Sequence, residues 1–114
     1  MEISKLFEYS DIITGFEVLD YNEDAGKLHY KLKISFIDNS LLFVKEYVSE
    51  TERKYSFHWQ NAFGDMLIRW DNSPHHREIK TFPHHKHTGK QIQSSKEPEL
   101  NDVLTEIRNS ITDK

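Results

Sequence analysis

Apolar and polar positions alternate without a break from Leu28 to Phe36. A period of two places Leu28, Tyr30, Leu32, Ile34 and Phe36 on one face of a strand and His29, Lys31, Lys33 and Ser35 on the other. One face is made for a core and the other for water. The same reading extends to both sides. Gly15 to Tyr21 forms a preceding strand, with Asn22-Glu23-Asp24-Ala25-Gly26 as the turn between them. Asp38-Asn39-Ser40 turns the chain into a third strand, Leu41 to Val48, rich in β-branched and aromatic residues.

Tyr55, Phe57 and Trp59 alternate with Ser56, His58 and Gln60, and Met66, Ile68 and Trp70 alternate with Leu67, Arg69 and Asp71. With Asn61-Ala62-Phe63-Gly64 as the turn, the two runs make a hairpin in which Gln60 faces Asp65. The aromatic set is then buried, Trp70 being the residue best placed to stay exposed. His58, Arg69 and Asp71 share the opposite face. Pro74 and Pro83 mark residues 72–88 as a loop or irregular edge, followed by a short strand near Gly89 to Gln93.

The period changes at both ends. Ile3, Leu6 and Phe7 fit one short amphipathic helix, and Leu100, Val103, Leu104, Ile107 and Ile111 mark one face of a longer one, with Pro98 and Glu99 suited to its first turn. The predicted class is α+β: an antiparallel meander of five to six strands, a C-terminal amphipathic helix and a short N-terminal helix, in a single domain over residues 1–114.

Composition narrows the chemistry. The chain lacks cysteine, which excludes a disulfide scaffold, a zinc ribbon and a thiol nucleophile. Neither the N-terminus nor any later segment carries the apolar run of a signal peptide or membrane span, so a soluble, cytoplasmic protein is expected. The net charge of −4 hides a division. Residues 1–52 hold five Lys/Arg against eleven Asp/Glu, residues 53–96 eight against three, and residues 97–114 two against five. The basic middle also holds six of the seven histidines, which favours an anion-attracting surface there.

Five of those histidines fall within thirteen residues, in Pro74-His75-His76-Arg77 and Pro83-His84-His85-Lys86-His87. Imidazole changes charge near neutral pH and binds divalent metals in its neutral form. Three readings follow. Cleaving RNA without metal requires a base for the 2′-hydroxyl, an acid for the leaving oxygen and cations for the phosphate. His58, Arg69, Asp71, His75, His76, His84, His85, Lys86 and His87 supply every type, and this acid–base reading calls for no cofactor. Alternatively, on an extended segment His85 and His87 can point the same way and, with His75 or His76 and Asp71, offer three or four metal donors, although the spacing matches no established metal signature. Finally, the histidines can orient a loop for a protein partner or satisfy buried backbone groups.

The segments Tyr55-Ser56-Phe57-His58-Trp59, Arg69-Trp70-Asp71-Asn72-Ser73-Pro74-His75-His76 and Phe82-Pro83-His84-His85-Lys86-His87 resemble, in order, the three hallmark segments of the TumE-type proteins of prokaryotic toxin-antitoxin pairs. The resemblance implies a growth-inhibiting toxin of a type II pair, neutralised by a helix-turn-helix antitoxin. By analogy with other small toxins it points to a metal-independent endoribonuclease acting on RNA, with a non-catalytic partner-binding or metal-binding regulatory module as the alternative. No membrane partner is expected, and a homodimer is compatible with an exposed sheet edge.

Overall fold

The alternation from Leu28 to Phe36 becomes the second strand of a seven-stranded antiparallel sheet whose spatial order is its sequence order. The computed structural model describes residues 3–113. A 3₁₀ helix, Ile3–Tyr9, leads into β1 (Ile13–Asp24), β2 (Lys27–Phe36), β3 (Leu41–Val48), β4 (Arg53–Gln60), β5 (Met66–Asp71), β6 (His85–Thr88) and β7 (Gln91–Ser94), and α1 (Leu100–Thr112) closes the chain. The architecture is α+β, as the pattern predicts. The sheet has seven strands rather than five to six because His85–Thr88, inside the segment expected to be loop, pairs with β5 and β7.

The core lies on one face of this sheet. Tyr30, Leu32, Ile34, Leu42, Val44, Phe57 and Trp59 meet Val103, Leu104 and Ile107 of α1, with Leu6, Tyr9 and Ile12 filling the adjacent edge. Fully burying each such aliphatic or aromatic side chain contributes roughly 1.5–3 kcal/mol, so the sheet and helix hold each other. The Asp102 carboxylate accepts the Glu99 backbone N–H at 2.8 Å and fixes the start of α1. Arg108 then ties the helix to the N-terminal segment through Asp11 (2.8 Å) and the Glu8 carbonyl.

Two details differ from the sequence pattern. Trp70 is buried, not exposed, because it pairs across β4 with Phe57 on the core face. In the β4–β5 hairpin Trp59 faces Ile68 and Phe57 faces Trp70, a register two residues away from the expected one, with an irregularity between Trp59 and Gln60. A slip of two leaves every side chain on its predicted face. β1 lies at the sheet edge, with Phe16, Val18, Leu19 and Tyr21 exposed.

The other face of the sheet is open. The strand registers bring Lys31 opposite Lys45, Tyr47 opposite Lys54, and His58 opposite Arg69 on that face. Five cations, Lys31, Lys33, Lys45, Lys54 and Arg69, therefore share one surface with Phe43, Tyr47 and several histidines. Strand pairing joins Lys31, Lys33 and Lys45 of the acidic N-terminal half to Lys54 and Arg69 of the basic middle on this one face.

Candidate functional site

The site is built at the β5–β6 end of the open face. Asp71 pairs with His85 and Arg69 with His87 across the two strands, and period-two alternation points all four side chains the same way. His76 joins them from the segment between β5 and β6. The rings of His76, His85 and His87 meet edge-on, with centroids 4.8 Å apart for His76 and His85, 5.0 Å for His85 and His87 and 5.7 Å for His76 and His87. One ring nitrogen from each lies within 4.8 Å of the others.

Asp71 is the hub. Its Oδ1 accepts the backbone N–H of Ser73 at 3.0 Å and the Ser73 hydroxyl at 2.9 Å, and its Oδ2 accepts Arg69 Nε at 3.2 Å. His85 Nε2 stands 3.0 Å from Oδ1, and His87 Nε2 stands 3.6 Å from Oδ2. Burial works to raise the Asp71 pKa, but the two Ser73 donors, with His85 and Arg69, outweigh it and hold the carboxyl below its ordinary range. Burial, opposed by Asp71 and reinforced by His85, His76 and Arg69, lowers the pKa of His87.

Two tautomers follow from the partners. Pro83 can only accept through its carbonyl, so the 3.0 Å contact with His85 places the hydrogen on Nδ1. His85 Nε2 is turned to Asp71 Oδ1, a contact that is favourable only with a proton or a metal ion between the two atoms. Arg69 can only donate, so His58 Nδ1 accepts from Nη1 at 3.4 Å and the neutral ring carries its hydrogen on Nε2. Burial and the Arg69 charge both lower the His58 pKa.

A family model described as Toxin TumE matches residues 3–111, nearly the whole chain and all of this site. The chain belongs to the TumE toxin family. No curated protein and no solved structure matches it. A TumE-family toxin implies an antitoxin partner, and among the described residues no helix is long and apolar enough to cross a membrane.

Within this TumE-family chain the nine candidate residues separate into two groups. His58, Arg69, Asp71, His76, His85 and His87 converge on the open face. His84 does not join them. Its Nδ1 lies 2.8 Å from the Tyr55 hydroxyl and its Nε2 3.6 Å from Glu97, on the helix side of the sheet. Arg53 completes that network, reaching Glu97 at 2.8 Å and the Pro98 carbonyl at 3.0 Å. Lys86 also turns to the helix side and pairs with Glu106 of α1 at 3.3 Å. His75 is exposed, its backbone N–H bonded to the Ser73 carbonyl at 3.0 Å.

Beside the cluster runs a cleft of about 820 Å³, lined by Lys45, Tyr47, Lys54, Arg69, Asp71 and Phe82 among others. Arg69 and Asp71 belong to both cleft and cluster. Lys45, Tyr47 and Lys54 are absent from the sequence-derived set, although the alternation of β3 and β4 already places them on the face of His58. Asn72 was also missed as a positioning residue. Its side chain accepts the Tyr55 N–H at 3.0 Å and donates to the Arg53 carbonyl at 2.7 Å, extending the β4–β5 pairing by one residue and aiming the loop that carries His76.

Proposed function

We propose that this toxin inhibits growth as an endoribonuclease, with single-stranded RNA lying across the open face and cleaved at the histidine cluster. The observation that carries this reading is the convergence of Arg69, Asp71, His76 and His87 at the end of a cleft lined by cations and an aromatic ring. Lys45, Lys54 and Arg69 hold phosphates, and Tyr47 offers a face on which a base can stack. His87, at the accessible side of the cluster, takes the proton of the 2′-hydroxyl as its oxygen bonds to phosphorus. Protonated His76 returns a proton to the 5′-oxygen as the phosphorus–oxygen bond to it breaks. The products are a 2′,3′-cyclic phosphate and a free 5′-hydroxyl. Arg69 stabilises the added phosphate charge, while Asp71 and buried His85 hold the other groups in place.

Purified protein in chelator is expected to cut a short RNA and to spare the same strand carrying a 2′-deoxy sugar at the scissile position. Expression without the antitoxin should fragment cellular RNA, and co-expression of a helix-turn-helix partner should suppress this. Intact RNA under an undiminished growth defect would overturn the nuclease and leave the cleft as a protein-docking surface.

A further inference from the structure

His85 is built into the site yet takes no part in the proton transfers. Its side chain is 1% exposed, its Nδ1–H is committed to the Pro83 carbonyl, and no aligned hydrogen bond reaches its Nε2. That Nε2 lies 3.0 Å from a carboxylate oxygen of Asp71. An imidazole nitrogen and a carboxylate oxygen so placed in a buried site call for a proton or a metal ion between them. His87 Nε2 faces the other oxygen of the same carboxylate at 3.6 Å, and a ring nitrogen of His76 lies within 4.8 Å of both imidazoles.

We propose that His76, His85 and His87, with the Asp71 carboxylate, bind one Zn²⁺ per chain, and that bound zinc switches RNA cleavage off. Spacing, outer shell and donor chemistry all support this assignment. The first is spacing. Zinc bonds of about 2.0–2.1 Å to N and O in a tetrahedron set neighbouring donors roughly 3.3 Å apart. The carboxylate–imidazole separations, 3.0 Å from Oδ1 to His85 and 3.6 Å from Oδ2 to His87, are close to that edge, and ligation through one oxygen needs the carboxylate to turn. The three imidazole nitrogens, within 4.8 Å of one another, draw in to complete the shell, and His76 is free to adjust because it sits on the segment between β5 and β6 rather than within a strand. The second is the outer shell. A zinc-bound histidine commonly donates its other N–H to a carbonyl, as His85 does to Pro83, and a ligating carboxylate is itself hydrogen-bonded, as Asp71 is by Ser73. The third is donor chemistry, since three imidazoles and one carboxylate suit zinc better than magnesium or calcium, which prefer oxygen. Arg69, 3.2 Å from Asp71 Oδ2, is the cation that opposes a second positive charge here and moderates the affinity.

The direction of the switch follows from the donor count. A catalytic zinc keeps one position open for water, and four protein donors close the shell. Zinc also occupies the ring nitrogens through which His87 takes up a proton and His76 gives one. The metal site stands on geometry alone; the inhibitory effect rests on the RNA-cleavage reading.

The test titrates the full chain with ZnCl₂ against a chromophoric chelator and, separately, with Co²⁺ monitored by visible absorption. One metal per chain is expected, with a tetrahedral cobalt spectrum. His76→Ala and His87→Ala should each weaken binding by at least about tenfold, while His75→Ala leaves it unchanged. Metal-free circular dichroism and melting of the variants confirm that they are folded. Cleavage of the short RNA should fall on adding one equivalent of zinc and return with chelator. Absent binding, or binding indifferent to both cluster variants, overturns the site. Zinc that is required for cleavage overturns the switch. Specific zinc binding without cleavage in either state preserves the site and removes the nuclease, and the switch falls with it.

Discussion

His84 and His85 are neighbours in sequence and lie on opposite sides of the sheet. His85 enters the open-face cluster with Asp71, His76 and His87, whereas His84 enters the helix-side network of Tyr55, Arg53 and Glu97. Lys86 follows His84 to the helix, and His87 follows His85 to the cluster. A run that looks like one motif is two. One half ties the sheet to the start of α1, and the other carries the chemistry. The lesson is that a dense motif on a strand must be divided by its period before roles are assigned.

The largest expected effect tests that division directly. His87→Ala should lower RNA cleavage by about 100- to 10,000-fold, the range for losing a positioned acid or base, with little change in melting temperature. His84→Ala should do the reverse: cleavage stays close to that of the unaltered chain, and stability drops by about 1–2 kcal/mol from the broken Tyr55 contact. Equal losses of cleavage in both would collapse the two halves into one site.

Asp71→Ala comes next. The carboxylate is nearly buried and gathers Ser73, Arg69, His85 and His87, so its loss leaves donors and a guanidinium without their acceptor. Removing one partner from such a set costs about 3 kcal/mol, measurable by urea denaturation in chelator. A variant as stable as the parent would show that the cluster is held by the strands and not by Asp71.

On the helix side, burial raises the Tyr55 pKa, with Arg53 opposing and Glu97 and Asp71 adding; burial likewise raises that of Tyr30, with Glu46 adding. The folded state therefore keeps these protons when the unfolded chain, with tyrosine near pH 10, gives them up. Stability from both residues is complete below about pH 10 and declines as the pH rises above it. Tyr55→Phe should cost about 1 kcal/mol at neutral pH through the lost His84 contact and reduce the alkaline decline. An unchanged alkaline titration would remove Tyr55 from this account.

How much of the fold and site is legible in the sequence depends on where the information lies. Strand β2 and the facing of His58, Arg69 and Asp71 follow from period alone, and they survive the two-residue slip of the β4–β5 hairpin because the slip is even. Strand β6 was not readable, because His85-Lys86-His87-Thr88 is polar at every position and follows a proline. Its burial comes from pairing between β5 and β7, a non-local fact. The approach of His76 depends on the Asn72 and Ser73 bonds at the start of its loop, which sequence shows only as a generic turn signal. Trp70 was misjudged because a neighbouring Asp-Asn pair says nothing about Phe57 across the strand.

The smallest expected effect concerns the other half of the same run. Lys86 and Glu106 stand 3.3 Å apart with both side chains partly solvated, so water and ions screen much of their attraction. Their coupling energy from a double-mutant cycle should be only about 0.2–1 kcal/mol, shrinking further in high salt, with RNA cleavage unaffected in Glu106→Ala. The lysine occupies the helix side because the residues on both sides of it, His85 and His87, are needed on the open face. A coupling well above that range would make Lys86 a principal anchor of α1; a loss of cleavage in Glu106→Ala would show that the helix side of the sheet communicates with the site after all.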